Sequence, residues 1–256
     1  MAYKNITLEK EDGIAELTIN RPPVNIIDCD TLLEINAALE KLGKDEETKV
    51  VLIRGSGNRA FCAGVEVKDH IGEKMPVMMT EFAKMFRLLR GLGKPSIAVV
   101  NGVALGGGCE LVAGCDMAIA AEKVELGQPE IKLGGLAPAA AALFPKIMGL
   151  KKAFELIVLG DSISAAEAAR IGLVNKVVPE EELDRTAEEY ARKFLGMSTL
   201  SVKLIRDAVY QCADKADFDN AIKKAQDLGI KTWETEDGQE GLKSFLEKRH
   251  PVWKNK

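Results

Sequence analysis

The chain has 256 residues with a net charge of −4 and a pI near 5.5, which gives no bulk attraction to nucleic acid. Apolar residues make up 46% and charged residues 29%, the balance of a globular protein of one or two domains rather than a disordered chain. The opening MAYKNITLEKEDG lacks the apolar core of a signal peptide, and no apolar run approaches the roughly 18 residues of a membrane span, so a cytoplasmic protein is expected.

Residues 6–8 and 14–19, joined across Glu11-Asp12-Gly13, read as a β-hairpin. Ala15, Leu17 and Ile19 alternate with polar partners, which predicts one buried face, and Pro22-Pro23 ends the strand. Thr31-x-x-Glu34 has the spacing of a capping box, followed by a helix with Leu32, Ile35, Leu39 and Leu42 on one side. Residues 49–53 form a β-branched run suited to a central strand. A loop of small residues around Gly64 follows, then an amphipathic helix over 78–92. Its Met78, Met79, Phe82, Met85 and Phe86 suit core packing, and some suit the wall of an acyl pocket. A buried strand over 96–100 leads through Asn101-Gly102 and a short apolar piece into Gly106-Gly107-Gly108 and a helix over 109–115. Residues 117–120 are apolar, 127–130 are loop-like, and 134–149 are rich in small residues. A helix over 151–159 is expected, then one capped by Ser164-x-x-Glu167, a strand within 173–178 and a long helix from Pro179 through Phe194. The remainder reads as helices near 199–212, 218–229 and 239–249. A boundary near 195–200 therefore separates a β/α core, 1–195, from a helical region, 196–256.

The stretch 96–133 organises the rest. Three adjacent glycines let backbone approach a ligand closely, and the helix after them has unpaired N–H groups at its positive end. No Lys-Ser or Lys-Thr pair follows, so this is not a P-loop, and Leu111 stands where a dinucleotide-binding fingerprint needs its third glycine. The remaining readings are a close-packing turn or a receptacle for developing negative charge. Glu110 and Glu130 flank it, which suggests proton transfer beside a polarised carbonyl. The five cysteines form no CxxC pair and read as reduced thiols. With His70 and His250 the only histidines, neither a Ser-His-Asp triad nor a multi-His metal site is expected.

NRPPVN, AFCAGVEV, NGVALGGGCEL, CDMAIA, GQPEIKLG, GLVNKVV and FLEKR occur in an order that resembles the enoyl-CoA hydratase/isomerase (crotonase) family across nearly the whole chain. The resemblance implies an α/β spiral of ββα units with a C-terminal helical trimerisation region, assembled as a homotrimer or a hexameric dimer of trimers. It implies an acyl-CoA thioester as ligand, no separate cofactor, no metal, and no nucleic-acid or membrane partner. By matched position, the main-chain N–H groups of Val65 and Gly107 form the oxyanion hole, Glu110 activates water and Glu130 donates the proton. Ala63 and Gln128 belong to the substrate site, Gln128 as a support for Glu130; Lys68 lies near the adenine end of CoA and Lys248 reaches phosphate.

The run after GQPEI departs from the short-chain hydratase pattern, with Pro138 displaced and alanines in place of glycines. NRPPVNIID and AGVEVKDHIGEKMP are similar to cyclohexa-1,5-diene-1-carbonyl-CoA hydratases of anaerobic aromatic degradation. That resemblance points to hydration of a cyclic dienoyl-CoA. The alternatives are a generic short-chain 2-enoyl-CoA hydratase or isomerase and a non-catalytic nucleic-acid-binding or scaffold protein, the last opposed by the acidic pI and by two intact carboxylates.

Overall fold

β1 (Ile6–Glu11) and β2 (Ile14–Ile19) pair antiparallel through a two-residue turn. Asp12 and Gly13 take φ of 49° and 83° there, the double positive φ of a turn whose twist matches a hairpin. The computed structural model describes residues 3–197, 199–213, 219–220, 222–223, 226, 230 and 233–252. β2 then runs parallel to β3 (Val50–Gly55), whose near-continuous apolar run suits a strand covered on both faces.

From β3 onward the chain repeats one manoeuvre. A strand joins a large sheet, a shorter strand joins a second sheet, and a helical segment follows. After the helix α1 (Cys29–Lys44), the first turn is β3, β4 (Ala60–Cys62) and α2 (Lys74–Arg90). The second turn is β5 (Ser96–Val100), β6 (Val103–Leu105) and α3 (Gly107–Gly114). The third is β7 (Met117–Ala121), β8 (Glu125–Gly127), a 3-10 turn Pro129–Leu133 and α4 (Pro138–Met148). The chain continues through α5 (Leu150–Leu159), β9 (Ser162–Ser164), α6 (Ala165–Arg170), β10 (Lys176–Val178), α7 (Leu183–Leu195), α8 (Thr199–Ala213) and α9 (Glu236–Leu246). The sheets have the orders β1-β2-β3-β5-β7-β10 and β4-β6-β8-β9, the expected spiral. β6 and β8 are parallel, with Leu105 opposite Gly127. This register starts the chain toward Glu110 and Glu130 from adjacent strand ends.

Several local expectations need correction. Asp28, not Thr31, caps α1: its carboxylate accepts the Thr31 N–H at 2.9 Å, while Glu34 accepts the N–H groups of Lys4 and Asn5 at 2.9 and 2.8 Å. α2 begins at Lys74 rather than 78, because Pro76 falls in the first turn, where N–H groups have no intrahelical acceptor. α3 begins at Gly107, and Ser164 caps α6 as its spacing predicts. Pro179 is followed by a single 3-10 turn, Glu180–Glu182, before α7 starts. The helix expected over 218–229 lies largely outside the described residues. The last helix starts earlier than expected, with Thr235 accepting the Gly238 N–H at 2.9 Å.

The segment beyond residue 196 packs on the same core: Ile222, Trp233 and Leu242 join one apolar cluster with Leu17, Ile53 and Phe86. Arg206 pins α8. It donates to both Asp116 oxygens at 3.0 Å and to the Leu89 and Arg90 carbonyls, each at 2.7 Å, at the end of α2. Arg206→Met leaves a largely buried Asp116 charge without its guanidinium, though still bonded by Ser96 and Tyr210, and a loss of about 3 kcal/mol is expected in urea unfolding. Among the described residues no helix is long and apolar enough to cross a membrane, and no cluster of metal-ligating side chains occurs.

Candidate active site

Two glycines at strand ends set the site. Gly64 follows β4 with φ of 116°, and Gly106 follows β6 with φ of 52°. Each takes a conformation that a residue with a Cβ rarely adopts, and each immediately precedes one of the two amides in question, Val65 and Gly107. Gly107 opens α3, so its N–H has no intrahelical acceptor. Neither amide has a main-chain acceptor among the described residues. The two positions touch: a Cβ on Gly107 would lie 2.6 Å from Val65 Cγ2. A Cβ on Gly106 would lie 2.8 Å from Glu130 Oε1, and one on Gly108 would lie 2.1 Å from the Cys62 carbonyl oxygen. Only glycine allows the three approaches together.

A cavity of about 370 Å³ opens beside these amides and is lined by Ala63, Val65, Gly107, Glu110 and Glu130. Its other walls are mostly apolar, with Met78 and Phe82 from α2, Leu136, and Phe245 from α9. α9 is seated against the turn that carries Glu130, since a Cβ at Gly241 would lie 1.7 Å from the Leu133 carbonyl oxygen.

Glu110 lies in the first turn of α3, buried, and accepts the Ala140 N–H at 2.8 Å. Burial nevertheless raises its pKa above the ordinary carboxyl value. Where the sequence reads 127–130 as loop-like, Glu130 belongs to the 3-10 turn Pro129–Leu133, and it faces the cavity. Its pKa stands well above the usual range, first because of burial and then because of the negative charge of Glu110. Two acids so placed do not both ionise readily, which leaves one as proton acceptor and the other as proton donor. Gln128 is buried beside them; with its carboxamide nitrogen turned toward Glu130 it donates to the two carboxyl oxygens at 3.1 and 3.2 Å.

The structure thus brings together Ala63, Val65, Gly107, Glu110 and Glu130, with Gln128 directly behind. It leaves Lys68 and Lys248 exposed and outside the cavity wall. Lys248 takes φ of 54° just past α9. Sequence reasoning overlooks several lining residues. Among them, Lys132, on the same turn as Glu130, lies 3.2 Å from Asp161, and His70, Trp233 and Leu242 belong to the wall. Lys132 alone had a local cue, its place two residues after Glu130.

Comparison with known proteins agrees with this geometry. Residues 9–256 match the family described as Enoyl-CoA hydratase/isomerase. A crotonyl-CoA hydratase from Syntrophomonas wolfei is 41% identical over 97% of each chain, and a short-chain-enoyl-CoA hydratase from Clostridium acetobutylicum is 37% identical over the same share. Among solved structures, an enoyl-CoA hydratase/isomerase from Xanthobacter autotrophicus superposes with a TM-score of 0.88 at 31% identity, covering 97% of this chain and 98% of that one. An enoyl-CoA hydratase from Mycobacterium avium subsp. paratuberculosis gives 0.89 at 26% identity, covering 99% of this chain and 100% of that one. With match, spiral and paired glycine turns in accord along its length, the chain belongs to the enoyl-CoA hydratase/isomerase family.

Proposed function

We propose that the protein catalyses reversible hydration of a short-chain 2-enoyl-CoA thioester. One observation carries the reading: two amides with no main-chain acceptor among the described residues and two carboxyls whose pKa values burial raises share one mostly apolar cavity. The thioester oxygen binds the Val65 and Gly107 N–H groups, which stabilise the negative charge that develops as water adds. Glu110 takes a proton from water, whose oxygen bonds to C3. Glu130 delivers a proton to C2, and Gln128 orients its carboxyl. No cofactor beyond the CoA of the substrate enters this reaction.

The names of the two bacterial relatives support a short straight-chain substrate, and none of the proteins compared above is named for a cyclic one. The short-chain reading therefore takes precedence over cyclohexa-1,5-diene-1-carbonyl-CoA. The test is kcat/KM on crotonyl-CoA and on the cyclic diene, followed through loss of the conjugated enoyl absorbance. Turnover of crotonyl-CoA with the higher kcat/KM is expected; a dominant preference for the diene would overturn the reading.

The raised acids also fix a pH profile. Glu110 must be ionised, so activity rises with pH through its elevated pKa. Glu130 must be protonated, so activity falls as pH passes its own elevated value. The bell in kcat/KM is expected with both limbs above the ordinary carboxyl range, and a plateau reaching down to about pH 5 would contradict the assignments.

Lys68 and Lys248 are proposed contacts for the CoA adenine and phosphate ends, Lys248 from this subunit or a neighbour. Trimers or dimers of trimers are proposed as the assembly. The exposed Leu204, Ile205 and Val209 of α8 and Leu150 and Phe154 of α5 supply apolar surface for it. Light scattering is expected to give three or six times the 27.8 kDa chain mass.

A further inference from the structure

One part of the cavity wall has no role in the proposed proton transfers. His70 ends the 3-10 turn Val67–His70 and lines the cavity. Its Nδ1 lies 3.1 Å from the Glu66 carbonyl oxygen. A carbonyl only accepts, so Nδ1 carries the proton and the ring plane is held. Against it stands Trp233, 1% exposed, with ring centroids 4.7 Å apart and planes at 61°, an edge-to-face contact. The indole rests in turn on Gly135, where a Cβ would lie 2.2 Å from Cη2 and 2.3 Å from Cζ2. Glycine is what lets the large ring settle there. Trp233 Nε1 has no hydrogen-bond partner among the described residues, so shape rather than a polar bond holds the indole.

Three segments remote in sequence thus build one wall, and its place follows from the chain path. Gly135 lies on the stretch between Glu130 and Ala140, the residue whose N–H holds Glu110. That stretch borders the side of the cavity where the two carboxyls lie. With the thioester oxygen on Val65 and Gly107, C2 and C3 must lie by the carboxyls, and the rest of the acyl group continues along the same side. Burial lowers the His70 pKa, so the ring is neutral at pH 7 and presents an uncharged surface to an apolar chain.

We propose that His70 and Trp233, seated on Gly135, form a stop for the acyl chain that admits groups near butenoyl length and rejects long straight chains. This rests on the hydratase reading above and names the specificity-determining residues of that site.

The experiment compares kcat/KM for crotonyl-CoA and trans-2-decenoyl-CoA in the wild type, His70→Ala, His70→Phe and Trp233→Ala. The wild type is expected to favour crotonyl-CoA. Opening the wall in His70→Ala or Trp233→Ala is expected to raise the decenoyl-to-crotonyl ratio by about tenfold or more, the scale of a few methylenes gaining room. His70→Phe, which keeps an aromatic edge against the indole, is expected to retain the wild-type ratio. A folded His70→Ala enzyme whose ratio stays within about twofold of wild type overturns the stop, and so does a wild type that prefers the decenoyl thioester. If Trp233→Ala fails to fold, His70→Ala decides alone. A wild type that hydrates neither thioester refutes the hydratase reading itself, which separates the two failures.

Discussion

Glu130→Gln is expected to lower kcat by roughly 10²–10⁴-fold on crotonyl-CoA, with KM changed far less. The substitution keeps the size of the side chain and its place beside Gln128, and removes only the proton that must reach C2. A second consequence runs the other way. Burial and Glu110 hold the folded-state pKa of Glu130 above its unfolded value. Between those two values the folded protein binds more protons than the unfolded one, so stability falls as pH rises through that window. Glutamine does not ionise. At about pH 8 the variant is expected to melt above the wild type, and the difference is expected to close toward about pH 4. Melting curves at the two pH values, set beside initial rates, check both halves. Wild-type turnover in Glu130→Gln would remove it from the reaction.

Gly107→Ala is expected to cost about 10²–10³-fold in kcat/KM, the scale of losing one oxyanion donor. A main-chain N–H cannot be deleted by a side-chain change, but it can be displaced. The new Cβ would lie 2.6 Å from Val65 Cγ2 and 3.2 Å from Phe82 Cε2, so a shift of Val65 against Gly107 is expected, and with it a displacement of the two amides. The cause is testable by relief. Gly107→Ala combined with Val65→Ala removes the closer obstacle and is expected to regain part of the lost rate, whereas Val65→Ala alone changes it little. Loss of rate in Gly107→Ala with an unchanged urea midpoint separates displacement of the donors from general unfolding. No recovery in the double variant would mean that the collision with Val65 is not the cause.

The reason the carboxyls meet was only half legible. Gly106-Gly107-Gly108 and the two acids stand out as residues, and the ordered motifs identify a spiral. What joins Glu110 to Glu130 is the pairing of β6 with β8, strands of three residues each, too short for any period to register. The misplaced cap at Thr31 has a related origin. Its spacing fits a capping box, but Glu34 is claimed by the N–H groups of Lys4 and Asn5, a contact across thirty and twenty-nine residues, which leaves Asp28 to cap α1. His70 and Trp233 show the limit most clearly. Trp233 sits in no motif and His70 only in one that gives it no role, and their meaning arises only when residues 70, 135 and 233 come together. Local propensity cannot report a wall assembled from three distant segments.

The docking of α9 on the Glu130 turn bears on how the protein responds to limited proteolysis. Both acids precede α9 in the chain, yet Leu242 and Phe245, which help to line the cavity, belong to α9. A protease cut ahead of α9 is therefore expected to strip one wall from the cavity and lower activity while leaving both carboxyl-bearing segments uncut.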